Sequence, residues 1–279
     1  MKKNKIFISL KNYNLPNSTA NYGVHLAKNL ERPAHLFGVE KVPMSSQPVA
    51  ITGSGLPTAT VERIGTVHQV ALKQLKELHH EVIKLYDNVS YNVEIGFPEI
   101  SLIEKTEKTD PHIVVLEGDN ELTTLHEWFG TYETRLAENI EAPVLVLPNN
   151  YNWKPVKKIL YVMEIDDEKV ANMRFLTSIA TAMKANIAVV LLSNERSEKE
   201  MNKYNHIVRT MRTILGYDNV NFHQFFTQDP ANTIDNLLTH VNADWLAFEH
   251  ASRSFLERML NNYNTKRLIL QSEIPVLVF

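Results

Sequence analysis

Apolar residues along this chain recur with two alternating periods. Short, nearly continuous apolar or alternating runs, KIFISL (5–10), AHLFGVEKV (34–42), VSYNVEIG (89–96) and HIVVL (112–116), have the length and composition of strands. Between them the spacing changes to three and four. Ser18 as N-cap opens a helix to about Leu30, and Val61, Ile64, Ala71, Leu75, Leu78, Val82 and Tyr86 mark one face of a long helix over about 58–87. Pro98 opens a third helix, to about Lys108, because its missing N–H costs nothing in a first turn. PMSSQPVAITGSGLP (43–57) reads as a loop, and a helix over about 128–140 leads into PVLVL (143–147).

The second half repeats the order. KKILYVM (157–163), NIAVVLLS (186–193), VNFHQFF (220–226), DWLAF (244–248) and PVLVF (275–279) read as strands. Helices over about 167–184, 195–215, 230–241 and 254–271 separate them, with Gly216 as a stop signal. Each half is thus predicted as βαβαβαβαβ, an α/β pattern of parallel strands with helices on both faces and right-handed crossovers. The polar, proline-flanked PNNYNWKP (148–155) marks the boundary, giving expected domains at 1–149 and 154–279.

Composition narrows the function. The 279 residues suit about two domains of ~100–200 residues, and 44% apolar content is ample for a core. A net charge of −3 with scattered Lys and Arg argues against a nucleic-acid partner. The chain has no cysteine, which excludes disulfides, thiol catalysis and cysteine-ligated zinc and fits a reducing, cytoplasmic setting. No run approaches the ~18 apolar residues of a membrane span, and the N-terminal apolar stretch is shorter than the ~7–15 residues of a secretory signal. TGSGLP (52–57) would need a glycine where Thr58 stands to read as a dinucleotide fingerprint. His68, His79 and His80 lack metal-ligand spacing and read as packed or surface residues. No G-x-S-x-G elbow and no acid–base pair with a nucleophile is present, so a non-catalytic protein without a metal is expected.

Val93, Gly96 and Pro98, in the pattern V-x-x-G-x-P before the third helix, the buried fourth strand, Gly130-Thr131 and the closing PVLV together resemble the universal stress protein family. The resemblance runs once through each half and implies a tandem member. It implies a Rossmann-like, adenine nucleotide alpha hydrolase-like fold, with a five-stranded parallel sheet in order 3-2-1-4-5 per half and a pseudo-twofold axis between halves. In that order the fifth strands are edges. PVLVL and PVLVF are apolar on both faces, so residues 143–147 and 275–279 are expected to pair antiparallel and cover each other.

The family's nucleotide-binding members carry G-x2-G-x9-G-[ST] after the fourth strand, where glycines let backbone N–H groups approach phosphate and a helix N-terminus favours the anion. Aligned on Pro143 and Pro275, the three glycine positions become Glu117, Asn120 and Gly130 in half one, and Glu249, Ser252 and Asn262 in half two. Only Gly130-Thr131 keeps the family letters. The family's acidic residue after the first strand becomes Lys11 in half one and Glu164 in half two. The tentative half-one site is Lys11, Glu117, Gly118, Asn120, Gly130 and Thr131, with Lys11 and Glu117 expected within salt-bridge range. The tentative half-two site is Glu164, Glu249, Ser252, Arg253 and Asn262, with Arg253 expected to compensate two facing carboxylates.

A carboxylate where phosphate would lie opposes ATP. The resemblance therefore implies a tandem stress protein with degenerate ATP sites, acting in stress adaptation through a protein partner or a small ligand, as a monomer with an internal pseudo-dimer or as a homodimer. Two alternatives stay open. One is nucleotide binding by half one through Gly130 and Thr131, with ATP as the ligand. The other is an enzyme using the acidic crevice of half two.

Overall fold

β1 (Ile6–Leu10, IFISL) has no polar position facing water until Ser9, and Ile6, Phe7 and Ile8 are wholly buried. A strand buried on both faces belongs in the middle of a parallel sheet covered by helices on each side. The computed structural model describes residues 4–41, 58–118, 136, 139–164, 170–248 and 274–279. They form an α/β fold in two compact units, Met1–Glu117 and Gly118–Phe279.

In the first unit β1 lies between β2 (Ala34–Lys41) and β4 (Ile113–Glu117), and β2 pairs with β3 (Val89–Gly96), all parallel. α1 (Ser18–Asn29) and α2 (Thr58–Val82) cover the face bearing Ile8, Leu36 and Tyr91. A Cβ on Gly23 of α1 would meet the Ile8 side chain at 2.5 Å, and His79 of α2 lies ring to ring with Tyr91 at 4.6 Å. α3 (Pro98–Thr109) covers the opposite face, where Lys105 pairs with Glu94 at 2.6 Å and stands over the Phe37 ring.

The helix ends differ in detail from expectation. Asn17, not Ser18, is the N-cap of α1, and its side chain accepts from the Ala20 N–H at 2.9 Å. α2 ends at Val82 and gives way to turns, although the apolar spacing runs on to Tyr86. α3 closes on Asp110 in the left-handed region, at φ 43°. Asp and Asn tolerate that conformation because a short polar side chain can bond locally.

The second unit holds β5 (Val144–Leu147), β6 (Lys158–Glu164), α4 (Val170–Met183), β7 (Asn186–Ser193), α5 (Glu198–Leu215), β8 (Val220–Phe226), α6 (Pro230–Val241), β9 (Trp245–Phe248) and β10 (Val276–Val278). The order is β5-β10-β9-β6-β7-β8. Every pair is parallel except β10 with β5, which run antiparallel with Leu277 opposite Leu145. Both short runs are buried throughout. Each saturates an edge that would otherwise expose apolar side chains and unpaired backbone. Packing divides the chain before β5, between Glu117 and Gly118. Ser197 caps α5, accepting from the Glu200 N–H at 3.2 Å, and Gly216 ends that helix at φ 57°, where a residue with a Cβ is strained.

Candidate functional site

The first unit reverses direction at β1. The chain leaves β1 through α1 on one face to reach β2. It returns through α3 on the other face to reach β4 on the opposite side of β1. Such a reversal opens a crevice beyond the carboxyl ends of the two strands, the usual ligand position in open α/β sheets. Lys11 is the first residue after β1 and is exposed, and Glu117 is the last of β4 and half-buried. The parallel register sets Ile8 beside Val115, and two further steps bring Glu117 level with Leu10, next to Lys11. A cation and a carboxylate therefore mark this rim.

The turn from β1 to α1 is braced at several points. Asn12 accepts from the Asn14 N–H through its side chain at 3.1 Å and from the Asn17 amide through its carbonyl at 3.0 Å. Between them Tyr13 turns inward and is only 7% exposed. Its ring lies on Gly38 of β2, where a Cβ would stand 2.5 Å from Cε1 and 2.7 Å from Cζ. Its hydroxyl bonds to Glu40, two residues further along the same strand face. Burial, then the neighbouring carboxylate, push the phenol above its ordinary range. Neither Tyr13 nor Glu40 was expected at the site. The signal was present in the sequence, since a glycine inside a strand pattern marks a close approach.

The remaining predicted positions are separate. Gly118 is buried in the second unit, and its N–H donates to the Leu147 carbonyl at 2.8 Å, so that donor is committed to strand β5. Glu164 ends β6, beside Leu192 of β7. Asn120, Gly130, Thr131, Glu249, Ser252, Arg253 and Asn262 lie outside the described residues, as does TGSGLP (52–57).

His68 and His79 donate through Nε2 to the carbonyls of Val93 and Val89, at 3.2 and 2.9 Å, which uses them as helix-to-strand ties. Among the described residues no group of three His, Cys, Asp or Glu side chains could hold a metal. The chemistry on offer at the first unit's rim is charge pairing with an anion and hydrogen bonding to hydroxyls.

No family model matches the sequence, and no curated protein matches it. Solved structures do. A universal stress protein from Archaeoglobus fulgidus superposes with a TM-score of 0.67 over 99% of this chain and 95% of its own, at 11% identity. A universal stress protein from Pseudomonas aeruginosa gives 0.65 over 99% and 93%, at 18% identity. A protein of unknown function from Pseudomonas aeruginosa gives 0.62 over 99% and 92%, at 19% identity. The chain therefore has the universal stress protein fold, and identities this low establish fold alone.

Proposed function

We propose that this chain is a tandem stress-response protein, non-catalytic, that binds an adenine nucleotide at its first repeat and has lost the second site. On this reading the repeats are 1–149 and 154–279, each a sheet of order 3-2-1-4-5, related by a pseudo-twofold axis. The observation that carries it is the cation at the end of β1. Lys11, exposed beside the β1/β4 crevice, suits a phosphate, and the second repeat reads Asn262-Tyr263 where the first keeps Gly130-Thr131. Gly130 and Thr131, by the sequence alignment, would supply the backbone donors and hydroxyl for the same phosphates.

A second reading has its own observation. Glu117 and Asn120 replace two glycines of the family pattern, which favours a chain that binds no ATP and acts through protein contacts. Isothermal titration with ATP and AMP separates the two. Binding to wild type that weakens at least tenfold in Lys11→Glu supports nucleotide recognition. Failure of wild type to take up either nucleotide sinks it in favour of the second reading.

A further inference from the structure

The loop after β1 does something the proposed function does not use. It lays a tyrosine ring onto bare backbone beside the candidate crevice. Gly38 sits in β2 between Leu10 of β1 and Val93 of β3, so it is the floor of a shallow slot at the carboxyl end of three adjacent strands. A Cβ there would stand 2.1 Å from the Tyr13 hydroxyl, so the ring fits only because position 38 has no side chain. Tyr13 is 7% exposed although it belongs to a connecting loop. In the second unit the place that corresponds to Gly38 in register, beside Met163 at the end of β6, is Leu191, whose own side chain is fully buried. The slot is a property of the first unit.

The polar end of the slot is equally specific. In doubly wound nucleotide-binding folds an acidic residue at the end of the second strand accepts a ribose hydroxyl. Glu40 occupies that end of β2 and accepts the Tyr13 phenol instead. A phenol and a nucleoside offer the same pair of features, a flat apolar ring and a hydroxyl donor. We infer that Tyr13 is an internal occupant of the nucleoside slot of the first unit, a plug whose ring a nucleotide displaces from Gly38 and whose bond to Glu40 the ribose replaces. The loop's bracing bonds engage Asn12, Asn14 and Asn17 and leave the Tyr13 side chain out. Rotation about χ1 can therefore withdraw the ring without unfolding the turn.

The inference rests on the nucleotide reading and makes the site self-competing, because the apparent affinity falls by the fraction of molecules in which the slot is filled. The test is titration of wild type, Tyr13→Phe and Tyr13→Ala with ATP and, separately, with pyrophosphate. ATP is expected to bind Tyr13→Ala at least tenfold more tightly than wild type, with Tyr13→Phe between them, while pyrophosphate, which has no ring, binds all three alike. Tyr13→Ala binding ATP no tighter than wild type overturns the plug and leaves the nucleotide reading standing. A parallel gain for pyrophosphate also overturns it, since the loop would merely have loosened. No binding of ATP by wild type removes the nucleotide reading and the plug with it. In case Tyr13→Ala does not fold, 3-fluorotyrosine-labelled wild type provides an independent readout. The fluorine signal of Tyr13, assigned by its loss in Tyr13→Phe, is expected to shift to a solvent-exposed position on saturation with ATP. A signal that stays buried while ATP binds refutes displacement.

Discussion

His35 shows how one side chain can tie stability to pH. It is buried on β2, its ring 5.2 Å from Phe7 and 6.4 Å from Phe37, and its Nδ1 lies 2.9 Å from the Ser90 hydroxyl. Ser90 also lies within reach of the Ala34 carbonyl at 3.3 Å. If the hydroxyl donates there, Nδ1–H donates to Ser90. Burial, then the charges of Lys5 and Lys105, lower the imidazole from 6.5 to about 4, while Glu94 pulls the other way. His112 is lowered to about 4 as well, by burial and by Arg32. Above pH 6.5 both native and unfolded chains are neutral at position 35. As the pH falls towards 4, the unfolded chain takes up a proton that the native chain refuses, so stability falls. The loss from His35 is about 3 kcal/mol over that window, at about 1.4 kcal/mol per pH unit. Urea unfolding at a series of pH values should show this slope in wild type and a shallower one in His35→Leu. Identical slopes in the two proteins would exclude His35 as its source.

Among the elements, β10 contributes more than its length suggests. Three residues serve two neighbours, β9 in parallel and β5 antiparallel. Leu277 is fully buried at the centre of this arrangement. Leu277→Ala is expected to cost about 2–5 kcal/mol, the range for a core leucine that leaves a cavity. Ile100, on α3 and 55% exposed, is the control, and Ile100→Ala should stay within about 0.5 kcal/mol. Chemical denaturation of both variants checks this, and a small loss at Leu277 would mean that the strand is dispensable. Phe279 extends the same packing, with its ring edge-on to Tyr161 and Phe175 at 5.9 and 5.7 Å.

For the molecule as a whole, on the proposed reading two repeats with one fold do not imply two equal sites. Their first-strand ends carry opposite charges, Lys11 and Glu164, and among the described residues the Gly38 slot has no counterpart in the second unit, where Leu191 stands in its place. If the nucleotide proposal holds, one nucleotide per chain is the expected stoichiometry, read from isothermal titration or native mass spectrometry. Two per chain would show that Asn262-Tyr263 in place of Gly-Thr does not close the second site. Among the described residues no helix is long and apolar enough to cross a membrane.

Over the described residues the sequence by itself determined the alternation of strands and helices, because each element is specified by periodicity over a few neighbouring residues; the helices expected at about 128–140 and 254–271 lie outside or almost outside those residues. It also placed Lys11 and Glu117, since a residue just beyond an apolar run falls at the end of a strand. The edge-on-edge meeting of β5 and β10 was legible for a similar reason, as a run apolar on both faces has to be covered. Tertiary structure decided what depends on distant partners. Whether Asn17 or Ser18 caps α1 turns on the fold of the 12–17 loop, where Asn17 both caps the helix and holds the Asn12 carbonyl. Gly38 advertised a close approach, but nothing local named Tyr13, which lies 25 residues earlier and reaches Gly38 only after β1 and β2 have paired. The two residues meet because sheet register aligns Leu10 with Gly38. Register is a property of two strands together, and neither strand's sequence contains it alone.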